Sequence, residues 1–248
     1  MTPDSALASG VHASPNHAER RDGARPELLI LHYTGMRSGA EALERLCNPA
    51  SEVSCHYVVE EDGRILQLVP ESRRAWHAGA GSWQGRGDVN SRSIGIEIVN
   101  PGHEHGYRAF PAIQVEAVAD LCLECVEKHR IAPQCVLAHS DVSPNRKKDP
   151  GELFSWDQLF LRGVGHWVPP TPTRGGRFLT QGDRGAPVSA WQQMLRRYGY
   201  EVETTGDYGV STWDATLAFQ RHFRPERVDG VADVATVETL YRLLSSLP

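Results

Sequence analysis

The sequence lacks any stretch near the ~20 consecutive apolar residues that a membrane-spanning helix requires. It also lacks an excess of positive charge, since 26 Lys and Arg stand against 31 Asp and Glu, for a formal net charge of −5. Such a chain has no overall basic field to draw it to nucleic acid, so any affinity for a polyanion must come from shaped sites. Residues 1–22 are polar and lack the apolar core of a secretory signal. The cytoplasm is therefore the default expectation, with the periplasm or export by another route left open.

Cysteine is scarce and odd in number, which excludes a disulfide framework as the basis of this fold. Two of the thiols form a Cys-x-x-Cys pair, but the apolar residues around them repeat at helical spacing. This pattern predicts that both thiols pack in the core, and a metal or redox role is the alternative. The five cysteines are Cys47, Cys55, Cys122, Cys125 and Cys135.

The 248 residues divide by composition into four segments. Residues 1–26 are small and polar and predict a loose N-terminal arm. Residues 27–166 have the apolar patterning of a catalytic domain, and residues 167–177, with three prolines and two glycines, are typical of a linker. Residues 178–248 predict a small helical domain.

Short strands and helices alternate in the second segment. Apolar runs predict strands, and an Asp-Gly pair at Asp62 predicts a hairpin turn. Three helices are predicted in the C-terminal segment. The predicted strands are 28–33, 56–59, 65–69, 93–99 and 135–138, and the predicted helices are 40–47, 113–129, 156–161, 188–198, 211–223 and 234–244.

Three possible metal ligands follow strands or lie close behind one. His32 and His139 each stand at the end of an apolar strand, and Asp149 lies ten residues after His139. Two imidazoles and one carboxylate leave a fourth position open on Zn²⁺, as catalytic zinc sites require. The spacing alone is weak evidence, because the chain has eleven histidines and no His-x-x-x-His pair on a helix face. The alternative is that these are ordinary surface or core residues.

The sequence motifs that surround these residues identify a protein family more specifically than the spacing of the three residues does. Seven motifs occur in an order that resembles the type 2 N-acetylmuramoyl-L-alanine amidases, the AmpD and AmiD group, which are related to phage amidases and animal peptidoglycan recognition proteins. The resemblance covers residues 27–162. The motifs are Leu31-His32-Tyr33-Thr34, Ser54-Cys55-His56-Tyr57-Val58-Val59, Asp62-Gly63-Arg64-Ile65, Arg74-Ala75-Trp76-His77-Ala78-Gly79, Ser93-Ile94-Gly95-Ile96-Glu97, His139-Ser140-Asp141-Val142-Ser143-Pro144 and Arg146-Lys147-Lys148-Asp149-Pro150-Gly151.

This resemblance implies an α/β fold with a mixed central β-sheet flanked by helices. It implies zinc held by His32, His139 and Asp149, with Glu97 as the catalytic carboxylate and Lys147 as the cation at the developing oxyanion. Read without the resemblance, Glu97 is equally a strand residue facing solvent, and Lys147 a solvated loop lysine. The sequence departs from the phage branch at Cys55, where those enzymes carry a tyrosine. A glutamate at position 97 matches the bacterial branch.

The activity that the resemblance implies is hydrolysis of the lactyl amide between N-acetylmuramic acid and L-alanine. The substrate is peptidoglycan or a soluble anhydro-muropeptide, and the sequence leaves that choice and the oligomeric state open. Two rival functions remain at this point. One is a recognition protein that holds muropeptide without cutting it, and the other is a zinc carboxypeptidase or endopeptidase acting within the stem peptide.

Two further features bear on the substrate. Trp76 and His77 lie in a glycine-rich loop, and we expect them to bind substrate by stacking or polar contact, with loop packing as the alternative. His56 is expected to be a buried histidine rather than a fourth ligand, because a fourth protein ligand would occupy the open coordination position of the metal.

The tail resembles the three-helix peptidoglycan-binding module over residues 178–246, and the alternative there is a helical cap that only packs on the amidase. The tail motifs are Ala190-Trp191-Gln192-Gln193-Met194-Leu195, Tyr198-Gly199-Tyr200, Gly209-Val210-Ser211-Thr212, Phe219-Gln220 and Asp229-Gly230.

Overall fold

A computed structural model describes residues 2–173 and 175–247. Met1, Arg174 and Pro248, which belong to the predicted arm, linker and tail, lie outside the described residues. The strands are β1 (Gly10–Val11), β2 (His17–Glu19), β3 (Leu28–Tyr33), β4 (Tyr57–Val59), β5 (Ile65–Gln67), β6 (Arg73–Ala75), β7 (Ser93–Ile98) and β8 (Val136–Ala138). The α-helices are α1 (Gly39–Cys47), α2 (Val89–Arg92), α3 (Ala112–His129), α4 (His139–Val142), α5 (Trp156–Leu161), α6 (Ala186–Tyr198), α7 (Val210–Phe223) and α8 (Val234–Ser245).

A six-stranded mixed sheet in the order β1-β5-β4-β7-β3-β8 forms the centre of the catalytic domain. Strand β3 pairs in parallel with β7 on one side and β8 on the other, which explains its continuous apolar run, because such a strand is covered on both faces. Strand β5 is antiparallel to β4, as the Asp-Gly turn predicts. The predicted α/β fold is confirmed. Within the described residues, every helix is too short or too polar to cross a membrane.

The N-terminal arm differs from its prediction, because it is ordered against the catalytic domain rather than loose. Strand β1 extends the central sheet beside β5, and β2 pairs with β6 in a separate two-stranded sheet. The Arg20 guanidinium donates hydrogen bonds to the carbonyl oxygens of Glu71, Ser91 and Ser93. Polar composition suggested disorder, but these polar groups are satisfied by backbone atoms that lie far away in sequence.

Helix α3 carries the Cys-x-x-Cys pair against the sheet. Cys122 and Cys125 are buried free thiols among apolar neighbours, so the prediction that they pack in the core is confirmed. Burial raises the pKa of both thiols above the usual range, which keeps them protonated and unreactive. Cys55 is likewise buried, with its Sγ 3.2 Å from the Tyr57 carbonyl oxygen.

The three predicted C-terminal helices are present as α6, α7 and α8. The segment before them follows their surface: the Thr171 amide donates to Thr239 Oγ1, and Arg242 donates to the Pro169 carbonyl oxygen. The helices also pack on the catalytic domain. A Cβ at Gly199 would lie 2.5 Å from the indole ring of buried Trp83, so only glycine allows this close approach.

Candidate metal centre

The carboxyl ends of three adjacent parallel strands bring the predicted site residues to one edge of the sheet. His32 on β3 is the direct register partner of Glu97 on β7. Paired residues of neighbouring parallel strands project from the same face, so these two side chains share one side of the sheet. Strand β8 ends at Ala138, and His139 is the first residue of α4. Rigid strand ends therefore hold two candidate ligands and the candidate base.

His32, His139 and Asp149 converge on a single point. The two Nδ1 atoms are 2.9 Å apart, and Asp149 Oδ2 lies 3.0 Å from His32 Nδ1 and 2.9 Å from His139 Nδ1. All three residues are buried. Donor atoms bound at ~2.0 Å around a tetrahedral zinc are about 3.3 Å apart, so these three atoms need to move apart only slightly to hold an ion. Two imidazoles and one carboxylate are also the donor set of catalytic zinc.

The surroundings of His32 and Asp149 favour the protonation states in which these side chains can bind a metal ion. Burial, together with the neighbouring His139, lowers the pKa of His32 to about 4, so its imidazole is neutral near pH 7. Burial alone would raise the pKa of the Asp149 carboxyl, but the two imidazoles outweigh it and hold that pKa well below its usual range. A neutral imidazole and an ionised carboxylate are the forms that bind a metal cation.

A chain of hydrogen bonds determines which ring nitrogen of His32 is left for a metal. The Ser93 hydroxyl donates to the Val89 carbonyl oxygen at 2.6 Å, so Ser93 Oγ accepts from His77 Nε2 at 3.0 Å. His77 Nδ1 therefore accepts from His32 Nε2 at 3.0 Å. It follows that His32 Nδ1 carries a free lone pair. His139 is oriented the same way, because its Nε2 donates to the Ala78 carbonyl oxygen at 3.0 Å.

His77 lines the cleft but is a buried residue. Its side chain is 9 % exposed, and both ring nitrogens are engaged by Ser93 and His32. Burial, followed by the neighbouring His32, holds the pKa of His77 well below its usual range, which keeps the ring neutral. Its neighbour Trp76 is half-buried and lines the cleft, and the indole Nε1 is buried without a hydrogen-bond partner in the described part of the chain.

A cleft of about 570 Å³ opens over the metal ligands. Half-buried Glu97 lines it, and its Oε2 finds no hydrogen-bond partner among residues 2–173 and 175–247. Burial, with Asp149 adding like charge, raises the pKa of Glu97 well above its usual range. An orphaned carboxylate oxygen beside a candidate metal site is poised to exchange a proton with a bound reactant. The cleft is lined by all seven predicted site residues: His32, Trp76, His77, Glu97, His139, Lys147 and Asp149.

The loop before Asp149 carries three consecutive cations with different surroundings. Arg146 Nη2 donates to the carbonyl oxygens of Ala78 and Ala80 at 2.9 and 2.7 Å, which ties the loop to the segment after His77. All three cations line the cleft, where Lys147 is half-buried and Arg146 and Lys148 are exposed. Lys147 is thus the least exposed of the three, and Arg146 also anchors the loop.

His56 belongs to the scaffold, and its predicted burial is confirmed. Its Nδ1 accepts from the Gly95 amide at 2.9 Å, and its Nε2 lies 3.1 Å from the Arg73 carbonyl oxygen. Burial and the Arg20 guanidinium lower its pKa to about 3. The ring is therefore committed to the sheet, and the fourth position around the three ligands is left to other groups.

Comparison with known proteins bears directly on this site. The family model described as N-acetylmuramoyl-L-alanine amidase matches residues 22–152, which include all seven predicted site residues. The chain belongs to this family. A second model, described as a putative peptidoglycan binding domain, matches residues 184–240, so the amidase carries a C-terminal module of that kind.

Relatives extend the match over both domains. The amidase is 35% identical over 226 residues to N-acetylmuramoyl-L-alanine amidase AmiD of Escherichia coli, covering 86% of this chain and 80% of that protein. It resembles the structure of E. coli AmiD in complex with anhydro-N-acetylmuramic acid-L-Ala-D-gamma-Glu-L-Lys, with a TM-score of 0.76, 33% identity and coverage of 93% and 97% of the two chains. AmpDh3 of Pseudomonas aeruginosa in complex with anhydromuramic pentapeptide gives a TM-score of 0.74 at 30% identity, covering 91% and 94%.

Sequence reasoning missed several residues that support the ligands. Ser93 opens the strand motif that contains Glu97, yet nothing in that motif shows that its hydroxyl orients His77. Asp141 stands two residues after His139 in the His-Ser-Asp motif, and that proximity was the available signal. Its partners in the C-terminal domain, Tyr200 and His222, carry no local signal, because they meet Asp141 only in the folded molecule.

Proposed function

We propose that this amidase is zinc-dependent and hydrolyses the lactyl amide between N-acetylmuramic acid and L-alanine in peptidoglycan or in muropeptides released from it. One observation carries the proposal: three metal-binding atoms within 3.0 Å of one another lie in the same cleft as the orphaned carboxylate oxygen of Glu97. A non-catalytic recognition protein needs neither feature. The solved relatives that hold anhydromuramyl peptides support the class of substrate.

His32 Nδ1, His139 Nδ1 and Asp149 Oδ2 would hold the ion. Zinc bound there would polarise the scissile carbonyl and bring the pKa of water close to neutrality, to about 7. Glu97 is the proton carrier in our assignment: its Oε2 takes a proton from the attacking water and returns it to the leaving nitrogen. Burial and the nearby Asp149 raise the pKa of Glu97, which favours the protonated form that returns a proton to the leaving nitrogen.

Lys147 and Trp76 address the other parts of the substrate. The Lys147 ammonium lines the cleft and is suited to a point-charge contact with the oxyanion that develops on the carbonyl. Trp76 presents an aromatic face for a sugar ring or a peptide backbone. Both assignments follow from side chains that face the cleft.

His77 takes a different role in this proposal from the substrate contact that its sequence motif suggests. It accepts the Nε2 proton of His32 and so directs the His32 lone pair toward the metal. Ser93 maintains that direction by accepting from the opposite side of the His77 ring. We therefore assign His77 as a positioning residue that acts through His32.

Replacing His77 with alanine should raise the zinc dissociation constant about 10- to 100-fold, the usual effect of losing a partner behind a metal-bound histidine. His77→Asn should recover part of that loss, because an asparagine oxygen can stand in for Nδ1 as acceptor. Competition with a chromogenic chelator gives the constants. His105→Ala, at an exposed histidine of the same cleft, is the matched control. Unchanged zinc affinity in His77→Ala would remove the assignment.

Digestion of intact sacculi and of soluble anhydro-muropeptides tests the proposed function. Cleavage at the lactyl amide exposes the amino group of L-alanine, which mass spectrometry of the products detects. A carboxypeptidase or endopeptidase would instead release fragments from within the stem peptide. Chelator-treated protein should be inactive and zinc should restore it. Release of stem peptide by the chelator-treated protein would contradict zinc dependence. The ratio of the hydrolysis rates on sacculi and on soluble anhydro-muropeptides identifies the preferred substrate.

A further inference from the structure

The C-terminal module contacts the catalytic domain at the helix that begins with a metal ligand. Asp141 on α4 is fully buried, two residues after His139. Its Oδ2 accepts from the Ala138 amide at 2.8 Å and from His222 Nδ1 of α7 at 2.7 Å. Its Oδ1 accepts from the Tyr200 hydroxyl at 2.7 Å. Two of its three donors therefore come from the C-terminal module.

These bonds matter because a carboxylate is expensive to bury without donors. The Asp141–Ala138 bond closes the start of α4 and sets the direction in which His139 leaves β8. That bond depends on Asp141 keeping one orientation, which Tyr200 and His222 impose from the other side. The Ser140 amide donates to the Asp149 carbonyl oxygen at 3.1 Å, so the same turn also holds the segment of the third ligand.

Packing holds both donors in place. The His222 ring stacks on Trp156 of the catalytic domain with ring centroids 3.7 Å apart, and on Phe223 at 3.9 Å. Tyr200 meets the Trp83 indole edge-on at 5.2 Å. His222 and Tyr200 are almost completely buried. The donors are thus fixed by aromatic contacts across the domain boundary, which is what orienting a carboxylate requires.

A second contact joins helix α7, which carries His222, to the loop that contains Asp149. Arg221, beside His222 on α7, forms a longer ion pair with Glu152, with 3.8 Å between Nε and Oε2. Glu152 lies three residues after Asp149 and also contacts His103 Nε2 at 3.2 Å. Helix α7 therefore touches both segments that follow β8 and carry ligands.

We propose that the C-terminal module is a structural part of the metal centre, in which Tyr200 and His222 act through Asp141 to position His139. In this arrangement the module does more than add affinity for the substrate polymer, because zinc affinity depends on its docking. The inference rests on the proposed zinc site for its functional meaning. The rigidity of α4 is a separate consequence that exists without metal.

The test uses full-length chains that differ at the two donors. Tyr200→Phe with His222→Phe keeps the aromatic stacking and removes both donors to Asp141. We expect the zinc dissociation constant to rise about 10-fold or more, and amide hydrogen exchange in residues 138–143 of the zinc-free protein to accelerate. His222→Asn, whose amide nitrogen can replace Nδ1, should retain near-normal values.

Tyr208→Phe is the matched control. Tyr208 is as buried as Tyr200 and its hydroxyl is bonded to Thr216 Oγ1 at 2.7 Å and the Gly230 carbonyl oxygen at 2.8 Å, but both partners lie within the C-terminal module. This variant should lower the melting temperature and leave zinc affinity and exchange in residues 138–143 unchanged. It separates loss of a buried hydroxyl from loss of the contact with Asp141.

The outcomes are distinguishable. Zinc affinity and exchange equal to wild type in the double variant would overturn the inference while leaving the amidase proposal intact. Should the double variant fail to fold, Tyr200→Phe alone decides the matter, since it removes one donor and keeps the ring. Wild-type protein that bound no zinc would refute the proposed function, and the exchange measurement would still judge whether the module holds α4.

Discussion

Asp149→Ala should lose zinc and hydrolysis together. In the proposed zinc site Asp149 would contribute the anionic donor, and its Oδ2 lies within 3.0 Å of both imidazole nitrogens. Without it, only two imidazoles would face a divalent cation, and neither the charge nor the donor number of a catalytic zinc site would remain. Activity should fall to the uncatalysed background, and the rise in melting temperature that zinc gives the wild-type protein should disappear. His139→Ala should behave in the same way.

Chelator competition and thermal melting with and without zinc measure these effects. Asp207→Ala, at an exposed acid of the C-terminal module, is the matched control and should bind zinc normally. Asp149→Asn preserves the shape of the side chain and shows that the charge, rather than the volume, is responsible. Zinc bound with wild-type affinity by Asp149→Ala would show that the ligand set is wrong.

Glu97→Ala should keep zinc and lose most turnover. Glu97 lies outside the three converging donors, so its removal leaves the ligands in place. Proton transfer by a positioned carboxylate contributes ~10²–10⁴-fold to a rate, and kcat should fall by about that factor. The loss should appear mainly in kcat, because the assigned role is confined to the transition state.

Glu97→Gln separates the chemistry of the carboxylate from its packing. Burial and the nearby Asp149 raise the pKa of Glu97, so stability falls as pH rises above the pKa of this carboxyl in the unfolded chain, and the loss is complete above its folded-state pKa. A neutral amide of the same shape should therefore leave the melting temperature equal or higher while activity falls. This combination marks a residue that is kept for catalysis at the expense of stability. Full turnover in either variant would show that another group moves the proton.

Apolar patterning predicted the central elements within one or two residues. The run Leu28–Tyr33 is a strand because it is covered on both faces, and the periodicity of Ala112–His129 places Cys122 and Cys125 against the sheet. The order of the motifs was needed to choose three ligands from eleven histidines and many acids. Once chosen, their convergence follows from strand ends that meet at one edge of the sheet.

Local patterns failed where polar groups find distant partners. The arm of residues 1–26 has a composition typical of disorder, yet half-buried Arg20 donates hydrogen bonds to the carbonyl oxygens of residues 71, 91 and 93. A substrate contact of His77 stays a prediction, but the place of its ring against Gly95 and its hydrogen bonds to Ser93 and His32 had no local signal. Such pairings depend on long-range contacts that have no local periodicity.

The positions of most strands and helices, the choice of three candidate ligands and the presence of a helical module follow from local patterns or motifs in the sequence. The docking of that module on the catalytic domain depends instead on contacts between residues far apart in the sequence. Tyr200 and His222 lie 59 and 81 residues from Asp141, and no spacing rule connects them. A buried carboxylate demands donors without specifying their source. Only the packed molecule decides that these donors come from the C-terminal module, and that the start of α4 at His139 is held from across the domain boundary.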